Sequence, residues 1–197
     1  MPVYNWHLLF LSMSKGFTSY RIGDQNALHY LTFATVNWID VFTGKKYRDV
    51  LIDSLAYCRK EKGLELYGYV IMSNHVHLIA RAKENYNLSD ILRDFKKHTS
   101  KQIIKLIQEE PESRKEWLLQ VMAEHGKNND KNKTYQLWRN DNHPIELHSN
   151  EVIKQKLDYI HQNPVEAGIV EKQEDYLYSS ARNYQELSSV LEIDVVN

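Results

Sequence analysis

The chain has 197 residues, of which 42% are hydrophobic and 26% charged, with only 7 Gly and 4 Pro; these are the proportions of one globular domain with appended elements and exclude a disordered or low-complexity chain. A net charge of −1 shows no global basic excess of the kind many nucleic-acid-binding domains carry, so any such surface has to be local. The single cysteine, Cys58, excludes an internal disulfide and a cysteine zinc site, which suits a reducing cytoplasm and leaves His and oxygen donors for any metal.

Residues 1–27 read as an N-terminal extension. Its first stretch, MPVYNWHLLFLS, is apolar but too short to span a bilayer, and Met13 would itself make a natural start. Residues 28–36 mix β-branched and aromatic side chains and predict a first strand. Apolar positions Val50, Leu51, Leu55 and Cys58 predict a helix over 46–62, ended by Gly63. Two β-rich runs, 64–72 and 75–81, flank Ser73-Asn74 and predict a hairpin. Leu88, Ile91, Leu92, Phe95, Ile103 and Leu106 predict a long helix over 88–108, with Ser89 or Asp90 as its cap. A helical piece over 113–125 is followed by a polar loop, 126–133. Residues 135–138 and 145–147 can supply a short strand or hairpin. Ser149 or Asn150 opens a last helix that runs to Gln162, where Asn163-Pro164 is expected to stop it. This order of elements predicts an α+β fold, a ferredoxin-like (RRM-like) antiparallel sheet with helices on one face, a helical insertion and a C-terminal extension. The main domain spans 28–184, and 185–197 form a tail.

His75 and His77 are two apart on a predicted strand, so their imidazoles share one face while Val76 and Leu78 take the other. Such a pair can hold a divalent metal with open positions for oxygen ligands, or it can be two incidental histidines of a half-exposed strand. On the last helix, Ile153, Leu157 and Ile160 form the apolar stripe. Tyr159 lies roughly 160° from Leu157 at 3.6 residues per turn, and Asn163 follows one turn later on its face. That places a phenol beside an amide oxygen able to join a metal site; equally, Tyr159 packs at a sheet edge and Asn163 closes the helix.

Arg93, Lys97, Lys101 and Lys105 recur every four residues on the long helix, with Lys96 alongside, and Arg139 adds a cation near the polar loop. The ridge suits phosphate contacts or is a solvated helix face.

The runs Gly68-Tyr69-Val70-Ile71-Met72-Ser73-Asn74-His75-Val76-His77-Leu78-Ile79 and Lys156-Leu157-Asp158-Tyr159-Ile160-His161-Gln162-Asn163-Pro164-Val165-Glu166-Ala167-Gly168 resemble those of the single-tyrosine HUH transposases, above all the REP-associated tyrosine transposases. The likeness runs from about Leu28 to Tyr184, and its last part, Asp175 to Tyr184, is similar to the family's C-terminal Tyr-x-Ser-Ser pattern. It implies that His75 and His77 bind a divalent metal, Mg2+ or Mn2+, with Asn163 as third ligand, and that Tyr159 is the nucleophile. It also implies a cytoplasmic partner, single-stranded and hairpin-forming DNA, cleaved and rejoined through a 5′-phosphotyrosine by a monomer or homodimer, with no membrane involved. The insertion-sequence branch often has glutamine where Asn163 stands, and the 110–133 insertion departs from its compact members. Three other readings remain: a domesticated nucleic-acid-binding protein of the same fold, a metal-dependent phosphodiester hydrolase in which Tyr159 is dispensable, and, on fold analogy alone, a ferredoxin-like regulatory domain.

Overall fold

The computed structural model describes residues 21–127, 134–140 and 142–195; most of the expected N-terminal extension and most of the predicted polar loop lie outside them. The elements are β1 (His29–Ala34), a 3-10 turn (Val36–Trp38), α1 (Lys45–Glu61), β2 (Leu64–Ile71), β3 (His75–Ala82), α2 (Leu88–Glu109), α3 (Lys115–Lys127), β4 (Ile145–Glu146), α4 (Asn150–Glu166) and the short α5 (Ala181–Tyr184). The sheet order β2-β3-β1-β4, with these strands paired antiparallel throughout, is the ferredoxin-like arrangement of two interleaved βαβ units. No described helix is long and apolar enough to cross a membrane.

Strand alternation divides the sheet. Phe33 pairs with Val76, and its ring meets Phe95 of α2 at 6.1 Å, so α2, with α1 packed beside it, covers that face. The neighbouring residues Thr32 and His77 pair with each other and project to the opposite face, where α4 lies. The expected one-sided helical layer therefore corresponds to α1 and α2, and the second face belongs to α4. Gly68 sets how closely α4 approaches: a Cβ there would come within 2.8 Å of Leu157 Cδ2 and 2.9 Å of Ile160 Cδ1. A glycine inside a strand is commonly the mark of such an approach.

Several local expectations need correction. The cap of α2 is Asn87, whose side chain accepts from Asp90 N at 3.0 Å, so the helix starts one residue before Ser89. Its buried stripe continues through Thr99, Ile103 and Ile107, with Leu106 at the margin. The predicted polar loop opens later than Gly126, because α3 runs to Lys127; Gly126 is buried and leaves room for the Thr134 carbonyl, 2.6 Å from where a Cβ would sit. Pro164 does not stop α4, which continues to Glu166. Proline forfeits one backbone hydrogen bond in the last turn, but its ring is buried in exchange, and the left-handed Gly168, φ 68°, ends the run.

Residues 135–138 and 145–147 do not pair as a hairpin. Both lie along β1, with Val36 N donating to Leu137 O and Leu147 N to Leu28 O, so the fourth strand is interrupted between them. The C-terminal segment closes the opposite edge: Ile71 N donates to Tyr178 O and Ser180 N to Tyr69 O. Farther on, Asp194 Oδ2 accepts from Leu66 N at 2.9 Å. The tail thus satisfies backbone groups that an edge strand would otherwise leave open.

Candidate active site

The site grows from β3 and α4. Because β3 is central, His77 is buried, with 4% of its surface exposed, and its ring lies 4.7 Å from that of His75. Each imidazole is anchored by its Nδ1. His75 Nδ1 is 2.7 Å from Asn74 Oδ1; an amide oxygen can only accept, so Nδ1 carries the proton and Nε2 keeps a bare lone pair. His77 Nδ1 lies 2.8 Å from the Tyr30 hydroxyl and 2.9 Å from that of Thr32, and in the tautomer with hydrogen at Nδ1 its Nε2 keeps its lone pair as well. Burial pushes His75 down to about 4, against weaker upward pulls from the Asn163 side chain and Asp40. Burial holds His77 well below its ordinary range too, helped by His75 and Lys156. Both rings are neutral at physiological pH, the form that ligates metal.

Tyr159 faces this pair from α4. Its ring is 5.6 Å from His77 and 6.2 Å from Tyr30, and it keeps 36% of its surface exposed. Leu157 and Ile160 are buried beneath it, as the helical stripe required. Of the two tyrosines here, Tyr30 is unsuited to attack. It is 5% exposed, and burial, then the neighbouring Tyr159 phenol, push its ionisation above the ordinary phenol value. Lys156 adds a cation, its Nζ 4.9 Å from the centre of the Tyr30 ring and 5.8 Å from that of Tyr159. Burial lowers the pKa of this lysine.

Asn163 Nδ2 donates to Tyr159 O at 3.0 Å, which fixes the amide one turn below the phenol and leaves Oδ1 to face His75. Two neutral imidazoles, each with one nitrogen beyond its Nδ1 contact, and one amide oxygen fit a divalent metal that retains open positions. Among the described residues no three His, Cys, Asp or Glu side chains gather as a metal cage; the third donor available here is an amide.

The predicted basic residues are distributed differently. Arg93, Lys97, Lys101 and Lys105 lie on α2, the helix that covers the face opposite Tyr159. Arg93 pairs with Asp90 and Asp94, and Lys105 with Glu109. Lys96 is committed to structure, donating to Arg139 O at 2.6 Å and Asn142 Oδ1 at 2.8 Å. Arg139 lies nearer the histidines, its guanidinium 5.8 Å from the Trp38 ring, and Trp38 is 5.7 Å from His75. Tyr30, Thr32, Asn74 and Lys156 were not singled out by sequence reasoning. Lys156 stands one helical turn before Tyr159, a spacing that could have found it; Tyr30 and Thr32 become visible only with the register of β1 against β3.

The sequence profile of the family described as "Transposase IS200 like" matches residues 25–138, more than half of the chain, and the chain belongs to this family. Its fold is similar to that of a REP-associated tyrosine transposase solved with a REP hairpin, at TM-score 0.61 and 16% identity over 92% of this chain and 94% of the other. A putative transposase from Deinococcus radiodurans R1 aligns over 74% of this chain and 97% of its own length at 18% identity, with a TM-score of 0.41. No curated protein matches in sequence.

Proposed function

We propose that the protein is a single-strand DNA transposase that cleaves and rejoins DNA through Tyr159, with a divalent metal, Mg2+ or Mn2+, held by His75, His77 and Asn163. The observation that carries this reading is the Tyr159 ring 5.6 Å from a buried histidine whose partner imidazole is 4.7 Å away, all on the sheet face that α1 and α2 leave to α4. The hairpin bound by the REP-associated relative supports hairpin-forming DNA as substrate. A bound metal would polarise the scissile phosphate and offset the charge that develops on it.

The chain's own groups do the rest. The Tyr159 oxygen attacks phosphorus and gives up its proton; the bond from phosphorus to the 3′ oxygen breaks, and that oxygen takes a proton to leave as a hydroxyl. The phosphotyrosine conserves the diester bond, so attack by another strand's 3′ hydroxyl reverses the step onto a new partner. Lys156 places a cation near the phosphate that Tyr159 attacks, its Nζ 5.8 Å from the Tyr159 ring, and Tyr30 and Thr32 hold the His77 ring in orientation.

Incubation with a labelled hairpin carrying single-stranded flanks and divalent metal, followed by denaturing electrophoresis and peptide mapping, tests the reading. Wild type should carry label on Tyr159, and Tyr159→Phe should bind DNA without forming the adduct. Cleavage without an adduct would favour a hydrolase instead. Label on another tyrosine would overturn the assignment.

A further inference from the structure

On the other side of Trp38, whose ring is 5.7 Å from that of His75, lies a cleft of about 420 Å3, lined by Val36, Asn37, His125, Gln136, Arg139 and Asn140 as well, a size that suits a small ligand. Its wall is built around Trp38, which is 41% exposed although large aromatic rings ordinarily bury most of their surface. Asn37 and Trp38 adopt successive left-handed conformations, φ 50° and 54°, an arrangement that costs free energy at non-glycine residues and persists only where surrounding contacts enforce it. Those contacts are present. Val36 N donates to Leu137 O at 2.9 Å and Trp38 N to Thr35 O at 3.1 Å, and the Trp38 carbonyl accepts from Asn74 Nδ2 at 3.1 Å. Asn74 also holds His75, so one side chain ties the tryptophan turn to the site.

We infer that this cleft is a nucleobase site, taking one unpaired base of the DNA strand next to the phosphate that Tyr159 attacks. The inference rests on the transposase reading and deepens it. An exposed indole gives a stacking surface that any unpaired base can use, and the Arg139 guanidinium beside it, 5.8 Å from the ring, adds a cation toward the strand. The Asn37 amide and the His125 imidazole supply donors and acceptors that can read a base edge. The described residues lining the cleft include no carboxylate to repel the sugar–phosphate chain. Trp38 and His75 are 5.7 Å apart centre to centre, close enough for neighbouring parts of one nucleotide to occupy both places.

The test uses the full chain without metal, so that binding is read apart from cleavage. A DNA hairpin library with randomised single-stranded flanks is selected on wild type, Trp38→Phe and Trp38→Ala, each checked for an unchanged thermal transition. Wild type should enrich one base at one flanking position, Trp38→Phe should retain that preference in part, and Trp38→Ala should flatten this position while leaving the others. An abasic site at the enriched position should weaken wild-type binding by roughly 5- to 150-fold, the effect of one base–aromatic stack, and should cost Trp38→Ala much less. Equal losses in both proteins, the same preferences in both, or no preference in wild type would overturn the base site. If Trp38→Ala proves unstable, the abasic loss on wild type and its reduction in Trp38→Phe decide. A Tyr159 adduct with metal but no coupling between Trp38 and a base sinks this inference alone, whereas coupling without any adduct sinks the catalytic reading and leaves the site standing.

Discussion

Val76 and His77 are consecutive residues of one strand, almost equally hidden from water, at 0% and 4% exposure, yet they serve opposite faces of the sheet in opposite ways. On the face of α1 and α2, burial is apolar: Phe33, Val76 and Leu78 meet Phe95 and its neighbours, and stability follows from close packing. On the face of α4, the apolar contacts of Leu157 and Ile160 are joined by polar side chains buried against one another, each histidine with its Nδ1 tied down. A face built only for stability would gain little from such an arrangement, because buried polar groups contribute only when satisfied. The difference separates what holds the fold from what the fold holds.

The largest expected effects come from breaking each face by itself. His77→Ala should abolish metal-dependent cleavage and cost roughly 1–3 kcal/mol of metal-free stability, because the buried Tyr30 and Thr32 hydroxyls lose the nitrogen they share. Leu78→Ala, one residue on and facing α1 and α2, should cost about 2–5 kcal/mol of stability yet leave the cleavage rate of the folded fraction near wild type. Denaturant melts and single-turnover cleavage measured on both variants check this; an inactive but folded Leu78→Ala, or a fully active His77→Ala, would erase the distinction between the faces.

Gly68 joins the faces and gives the next largest effect. Gly68→Ala places a methyl group within 2.8 Å of Leu157 Cδ2 and 2.9 Å of Ile160 Cδ1; these side-chain ends must give way, and whatever overlap they do not absorb moves α4 and Tyr159 outward. Misplacement of a nucleophile by about 1 Å can cost roughly 10²-fold in rate. We expect a drop of up to that order, with metal affinity reduced less, because His75 and His77 stay in place on β3 and only Asn163 moves with α4. Calorimetric metal titration beside single-turnover rates distinguishes this from unfolding, which would remove both.

Acid should expose a third difference. His161 is buried, its Nε2 2.8 Å from Ser180 Oγ, and burial lowers it to about 4. Its folded pKa lies below the unfolded value of about 6.5, so the unfolded chain binds the extra proton: stability is fully present above about pH 6.5 and is lost as pH falls toward 4. The linked loss is on the order of 3 kcal/mol. His161→Gln should flatten part of this decline in metal-free protein. Parallel stability–pH curves for variant and wild type would show that His161 does not titrate across that window.

How far this architecture is legible in the sequence depends on the range of the interactions that make it. Period-two alternation places His75 and His77 together, and the Leu157–Ile160 stripe leaves Tyr159 outward, because both patterns belong to single elements. The cap of α2 falls on Asn87 rather than Ser89 or Asp90 because all three are capable caps and only the fold chooses among them. The interrupted fourth strand, the pairing of Tyr178 and Ser180 with β2, and the left-handed turn at Asn37 and Trp38 depend on partners far along the chain. No local window carries them. Helical spacing puts Asn163 one turn below Tyr159, yet only the folded structure shows its amide nitrogen bonded to the Tyr159 carbonyl and its oxygen left toward His75.

The smallest effect should come from the helix that covers the apolar face. Lys97 and Lys101 are exposed on α2, and their flanking cations Arg93 and Lys105 already pair with acids on the same helix, so at most two charges of the ridge are ready for phosphate. On single strands each phosphate contact contributes about 0.7 to the slope of log affinity against log salt, so replacing both lysines with alanine should lower that slope by about 1.4. The ridge and Tyr159 lie on opposite sides of the sheet, hence the cleavage rate of saturated complex should not change. An unchanged slope would make these lysines solvated surface. A slower rate at saturation would mean that DNA wraps the edge of the sheet and that the two faces act on one substrate together.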